Sequence, residues 1–219
     1  MSWINSSIAA FMPYLPKVVA KPFAKPYVAG EDIQTACEIV KTLNDRGYST
    51  TLDILGEHVG SSKEAKQILN QYIDLIKNID SNNLDSTISI KLTHLGLSLD
   101  EDLCEKNFLE LVRASNKHNT GITIDMENSI YTTKTLELFQ KGLSIYEGVG
   151  AVIQAYLHRS CDDLIMLDSS KLNLRICKGI YNEPPEIAIQ DRYALSLIHI
   201  SEPTRQRLIS YAVFCLKKK

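Results

Sequence analysis

The chain has 219 residues, 44% hydrophobic and 23% charged, the balance of a folded globular protein rather than a disordered one. A formal net charge of −2 argues against a surface built for nucleic acid or for a strongly anionic membrane. Five cysteines (Cys37, Cys104, Cys161, Cys177, Cys215) are scattered with no CxxC pair, which speaks against a disulfide framework or a zinc site and fits a reducing cytoplasm.

Residues 1–29 read as a leader segment packed on the outside of a domain. Their apolar run has no basic residue before it and is broken by Pro13 and Pro16, so it meets the pattern of neither a signal peptide nor a spanning helix of about 20 apolar residues. Gly30-Glu31-Asp32 opens the first predicted helix, in which Ile33, Ala36, Cys37, Val40 and Leu43 recur at helical spacing until Arg46-Gly47 ends it. STTLDILGEHVG follows as a strand, and Ser62 to about Asn78 as a second helix with Ala65, Ile68, Leu69, Tyr72, Ile73 and Ile76 on one stripe.

TISIKLTHLG alternates, with Ile88, Ile90 and Leu92 on one face and Ser89, Lys91 and Thr93 on the other. Helix is predicted for Asp100 to His118, strand for GITIDMEN, helix for Thr132 to Tyr146 and strand for VGAVIQAYLHR. A short helical segment from Cys161 to Asp168 and a strand in LNLRICKGIY complete the series. Strand and helix alternating at intervals of roughly 20 to 40 residues are the pattern of a parallel sheet built from βαβ units.

The polar residues sit at matching places. Glu57, Lys91 to His94, Asp125, Gln154 and Arg175 to Lys178 all fall late in their predicted strands. In a (β/α)8 TIM-type barrel those strand ends form one mouth, where the active site lies. An open doubly wound sheet would show a glycine fingerprint after its first strand, and this sequence contains no GxGxxG. The expected class is therefore α/β, a barrel with about five of its eight strands present, because the 38 residues after Tyr181 are too few for three more βα units.

Taken in order, GEDIQTACEIVKTLNDRGYSTTLDILGE, KLTHLG, TIDMENS, VIQAYLHR and RICKGIYNEP resemble the proline dehydrogenase family, over roughly Tyr27 to Tyr193. Arg175-Ile176-Cys177-Lys178-Gly179-Ile180-Tyr181 with Glu183-Pro184 resembles the family's R-x-x-K-G-A-Y-x-E-P, with Ile180 where alanine is usual. The resemblance implies oxidation of L-proline to Δ¹-pyrroline-5-carboxylate, with FAD as cofactor and a quinone as the next electron acceptor. It implies a cytoplasmic protein of stand-alone type, with peripheral association at the inner membrane. By the same resemblance Asp125 and Arg175 are catalytic, and Lys91 pairs with the proline carboxylate. Met126, Gln154, Lys178, Gly179 and Ile180 hold the cofactor, and no metal is involved.

The residue types suit those duties. A fixed cation such as Arg175 stabilises charge gathering on a reduced ring, and Gln154 both donates and accepts. Position alone leaves other readings open: Lys91 as a rim lysine, Asp125 as a loop cap or a partner of Lys91, and Gln154 as a satisfied core amide. Glu57 fits a salt bridge at the mouth, His94 and His158 fit hydrogen-bonded loop residues, and Cys177 fits a small buried filler.

From Ala194 to Lys219 the pattern changes. SLIHISEPTRQ and SYAVFCLKKK resemble the in-frame translation of a sequencing-library adapter, so residues 194–219 are expected to stand outside the fold as a disordered tail, and the domain is expected to span residues 30–193. The family's arginine pair on its last barrel helix then has no counterpart, and the expectation is a chain that binds FAD weakly and turns over little proline although its full-length parent is active. Two other classes remain: a different barrel enzyme forming a Schiff base through Lys91 or Lys178, and a non-catalytic fragment with exposed strand edges.

Overall fold

The computed structural model describes residues 28–167, 172–191 and 195, together with the backbone of 213–216. The expected leader lies almost wholly outside the described residues. Three helix starts are fixed by their own side chains. Asp32 accepts from the Thr35 N–H at 2.9 Å to cap α1 (Ile33–Asn44). Ser61 accepts from the Glu64 N–H at 3.2 Å ahead of α2 (Ser62–Ser81), while Glu64 reaches back to the Gly60 N–H at 2.9 Å. Asp100 caps α3 (Glu101–Lys117) through the Leu103 N–H at 2.7 Å. α4 (Thr132–Leu143) and the short α5 (Ser160–Met166) follow.

Between these helices run β1 (Thr50–Ile54), β2 (Ser86–Ile90), β3 (Ile122–Ile124), β4 (Val149–Gln154) and β5 (Leu174–Cys177). They pair in parallel in chain order, the arrangement that helical crossovers on one side produce. A sixth strand, β6 (Val213–Leu216), pairs in parallel with the free side of β1, Thr51 opposite Val213 and Ile54 opposite Leu216. It lies in the stretch from Ala194 that the sequence reading sets apart. The rest of that stretch, Leu195 excepted, is outside the described residues.

The register explains the core. Leu52, Ile88, Ile122 and Val149 form one lateral row and Ile90, Ile124 and Ala151 another. All seven are buried with Ile68, Leu69, Tyr72, Leu75 and Ile76 of α2 and Phe108, Leu111 and Val112 of α3. Each of the Val, Leu, Ile and Phe side chains withdrawn from water contributes about 1.5–3 kcal/mol. The intervening row, Asp53, Ser89, Thr123 and Gly150, is polar or small.

Two boundaries differ from expectation. α2 continues to Ser81 because Ile79 is buried and holds its last turn on the core. β2 stops at Ile90: Lys91 and Leu92 follow the strand, and Thr93–Leu95 is a turn of 3₁₀ helix ending at Gly96, whose φ is +108°. Ser89 is also buried, so the alternation in β2 separates two covered faces, as parallel sheets require, and not core from solvent.

Candidate active site

Lys91 and Asp125 are the first residues beyond β2 and β3. The Asp125 N–H still donates to the Ile90 carbonyl at 2.8 Å, so the ladder runs one step further and fixes both side chains. Continuing the register places Asp125 beside Val152 and Arg175, which pair across β4 and β5. Val152 has no polar group, and the Arg175 guanidinium reaches past it to donate to Asp125 Oδ1. The other Asp125 oxygen lies 3.9 Å from Lys91 Nζ.

Lys91 has a nearer partner that sequence reasoning missed. Its Nζ donates to Asp53 Oδ2 at 3.4 Å, and Asp53 Oδ1 accepts from the buried Tyr72 hydroxyl of α2 at 3.1 Å. Asp53 is 4% exposed, and burial pushes its carboxyl up to about 6, against the opposing pull of Lys91. For Lys91 burial works against the ammonium, but Asp53, Asp125 and Glu57 outweigh it and hold its pKa above the ordinary lysine value. The result is a chain of charges of alternating sign, Asp53–Lys91–Asp125–Arg175, running from β1 to β5.

A second network lies beside it. Glu127, buried and also unforeseen, accepts from the Thr93 N–H at 3.0 Å and from the Thr93 hydroxyl. Burial raises its pKa, with the two Thr93 bonds acting in the opposite direction. The Glu127 carbonyl accepts from Gln154 Nε2 at 2.8 Å, and Gln154 Oε1 accepts from the Ile180 N–H at 3.3 Å. Gln154 is thus buried with both ends of its amide engaged, one N–H of which remains for another acceptor.

The Lys178–Ile180 turn is shaped by packing. Gly179 has φ +111°, and a β-carbon there would meet the Tyr156 ring at 2.1 Å, so the turn requires glycine for reasons internal to the protein. Ile180 is 85% exposed, so its extra bulk relative to alanine faces outward from the described residues. Lys178 is exposed too, whereas Met126 is buried in the main core cluster. Beyond the turn, Glu183 clamps Ser129 through the N–H at 2.7 Å and the hydroxyl at 2.8 Å, and a β-bridge joins Leu157 to Ala188.

The remaining candidates fall around this centre. Glu57 is exposed and accepts from the Tyr181 hydroxyl at 3.3 Å. His158 lies within 2.9 Å of the Pro185 carbonyl, and His94 is buried beneath Gly56. The Cys177 thiol is pushed up by burial, Arg175 acting in the other direction, which suits a filler and not a reactive thiolate.

The cationic side chains of Arg175 and Lys178, beside the partly exposed turn at Gly179, form a set suited to an anionic cofactor. The profile of the proline dehydrogenase family matches residues 36–202. The chain belongs to the proline dehydrogenase family. Proline dehydrogenase 1 of Bacillus subtilis (strain 168) is 35% identical over 187 residues, covering 85% of this chain and 62% of that relative. Proline dehydrogenase of Deinococcus radiodurans is 33% identical over 174 residues, 77% of this chain and 56% of its own length. The chain therefore spans about three-fifths of the length of the curated relatives it matches.

Among solved structures, proline utilization A from Bdellovibrio bacteriovorus inactivated by N-propargylglycine superposes with a TM-score of 0.67 at 23% identity, over 77% of this chain and 21% of that one. Proline utilization A of Bradyrhizobium japonicum gives 0.60 at 22% identity, over 73% and 19%. The fold is thus the α/β, TIM-type barrel fold of the proline dehydrogenase family, seen here over its consecutive parallel strands β1 to β5.

Proposed function

We propose that this chain carries the catalytic strand ends of a flavin-dependent enzyme that oxidises L-proline to Δ¹-pyrroline-5-carboxylate. What carries this reading is the charge row Lys91–Asp125–Arg175 at the strand ends of a proline dehydrogenase family chain. Lys91, kept as an ammonium by its carboxylate neighbours, binds the substrate carboxylate. The Asp125 oxygen not engaged by Arg175 orients the ring nitrogen and accepts the proton released as the C=N bond forms. Arg175 holds Asp125 in place and adds positive charge beside the reacting centre.

The residues that would hold FAD are Lys178 and the Gly179–Ile180 backbone toward its phosphates, Gln154 toward a polar edge and Met126 as an apolar neighbour. When bound, FAD supplies the acceptor for the hydride taken from proline. A quinone as the onward acceptor, a cytoplasmic location and peripheral membrane association belong to the same proposal. Among the described residues no helix is long and apolar enough to cross a membrane.

A Schiff base through Lys91 is disfavoured, because an amine nucleophile wants a lowered pKa and Lys91 is held in the opposite direction. The test is anaerobic. The purified chain is mixed with FAD, proline is added, and the oxidised-flavin band is followed with and without N-propargylglycine. Proline-dependent bleaching beyond that of free FAD, slow in this chain and blocked by N-propargylglycine, is expected. Retained flavin left oxidised by saturating proline would overturn the proposal.

A further inference from the structure

Lys91 stands at the edge of the buried layer, with a side chain 18% exposed. An ammonium so poorly hydrated keeps its proton only beside an anion. Asp125 is the anion the mechanism uses, yet one of its oxygens is taken by Arg175 and the other is 3.9 Å from Nζ, beyond hydrogen-bond reach. Among the described residues the carboxylate that Lys91 does reach by a hydrogen bond is Asp53, at 3.4 Å. Asp53 is itself anchored from behind by the Tyr72 hydroxyl at 3.1 Å. Tyr72 is fully buried on α2, among core residues that leave its ring no room to move.

We propose that Asp53, braced by Tyr72, is a positioning residue that fixes Lys91 in place and in its charged form, so that the ammonium stands ready for a substrate carboxylate. This rests on the reading of Lys91 as the carboxylate's partner. Asp53 touches no reacting atom and acts through Lys91. The groups that face Lys91 are Asp53, Asp125 and, farther off, Glu57; those that face Asp53 are Lys91, Tyr72 and Asp125. A buried carboxylate with only a packing role would not need a cation, since Tyr72 could be matched by any acceptor. Here the acceptor is charged and its second oxygen is turned to the lysine.

The test reads the lysine directly. The full chain is labelled with trace acetic anhydride across the alkaline range, and Lys91 acylation is quantified by mass spectrometry against the exposed Lys77 as internal reference. Asp53→Asn keeps the shape and the acceptor for Tyr72 but removes the charge. It is expected to raise the relative rate at Lys91 severalfold, because without the Asp53 charge more of the amine is unprotonated at a given pH. Tyr72→Phe should move the rate in the same direction by a smaller factor. A folded Asp53→Asn chain whose Lys91 labels at the wild-type relative rate would overturn the proposal. If Asp53→Asn melts, an unchanged rate in folded Tyr72→Phe would overturn it equally.

A second arm separates this from the reading beneath it. Proline added during labelling should protect Lys91 in the wild-type chain. A variant effect without protection sinks the substrate-carboxylate role of Lys91 and with it the functional half of the proposal. Protection without a variant effect sinks the role of Asp53 alone.

Discussion

Arg175 and Asp125 lie 50 residues apart in sequence and meet through a guanidinium–carboxylate hydrogen bond. The parallel register brings them into one lateral row, with Val152 between them. The pair fixes which Asp125 oxygen is engaged by Arg175 and which is turned toward Lys91. It also means that neither residue can be changed without altering the other's environment.

Replacing Arg175 by methionine should therefore do two things. Asp125 loses its cation in a partly covered position, and stability should fall by about 1–3 kcal/mol in urea denaturation. Proline-dependent flavin reduction should fall by about a hundredfold, the usual effect of removing one charge-stabilising group at a reacting centre. Asp125→Asn should reduce turnover similarly with a smaller stability loss, because its amide oxygen still accepts from Arg175.

Asp53 makes a pH signature. Its folded pKa of about 6 lies above the ordinary 3.8, so between those values the folded state binds the proton more tightly than the unfolded chain does. Its contribution to stability is whole below about 4 and is lost as pH rises through about 6. Asp53→Asn, which cannot ionise, should gain on the wild type by about 2–3 kcal/mol across that window and keep a constant difference above it. Glu127 also has a raised pKa, but it is present in both chains and cancels in the comparison of melting temperatures across pH.

Thr93→Val leaves Glu127 buried with one oxygen stripped of its hydroxyl donor. The expected loss is about 1–3 kcal/mol, read as a lower urea midpoint at unchanged slope. Because the Glu127 carbonyl also holds Gln154, the variant should weaken FAD retention as well.

Gly179→Ala forces a methyl group toward the Tyr156 ring at a backbone angle that side chains seldom adopt. The turn carrying Lys178 and Ile180 must shift. Strain of about 1–3 kcal/mol and a loss of FAD affinity of about tenfold or more are expected, measured by flavin retained through gel filtration.

Much of this was legible in the residues. The five strands and their helices follow from hydrophobic periodicity and caps. Lys91 and Asp125 follow the ends of β2 and β3 and Gln154 ends β4 as expected, whereas Arg175, expected late in its strand, is the second residue of β5. Asp53 was hidden because Leu-Asp-Ile reads as an ordinary half-exposed strand, whereas a parallel sheet covers both faces and turns that aspartate into a buried charge. Glu127 sat in plain view within TIDMENS, but its partner Thr93 lies 34 residues away. The same distance problem concealed the Arg175–Asp125 pair: composition and spacing order the strands, but only the register decides which side chains meet.

The most direct test of the central claim joins this chain's strand ends to a complete relative. Residues 36–193 replace the aligned segment of Bacillus subtilis proline dehydrogenase 1, and the folded hybrid is supplied with FAD and titrated anaerobically with proline. The account predicts proline-dependent bleaching of the bound flavin, lost when Asp125→Asn and Arg175→Met are introduced together. A folded, flavin-retaining hybrid that proline leaves oxidised, or one whose bleaching survives both substitutions, would contradict it.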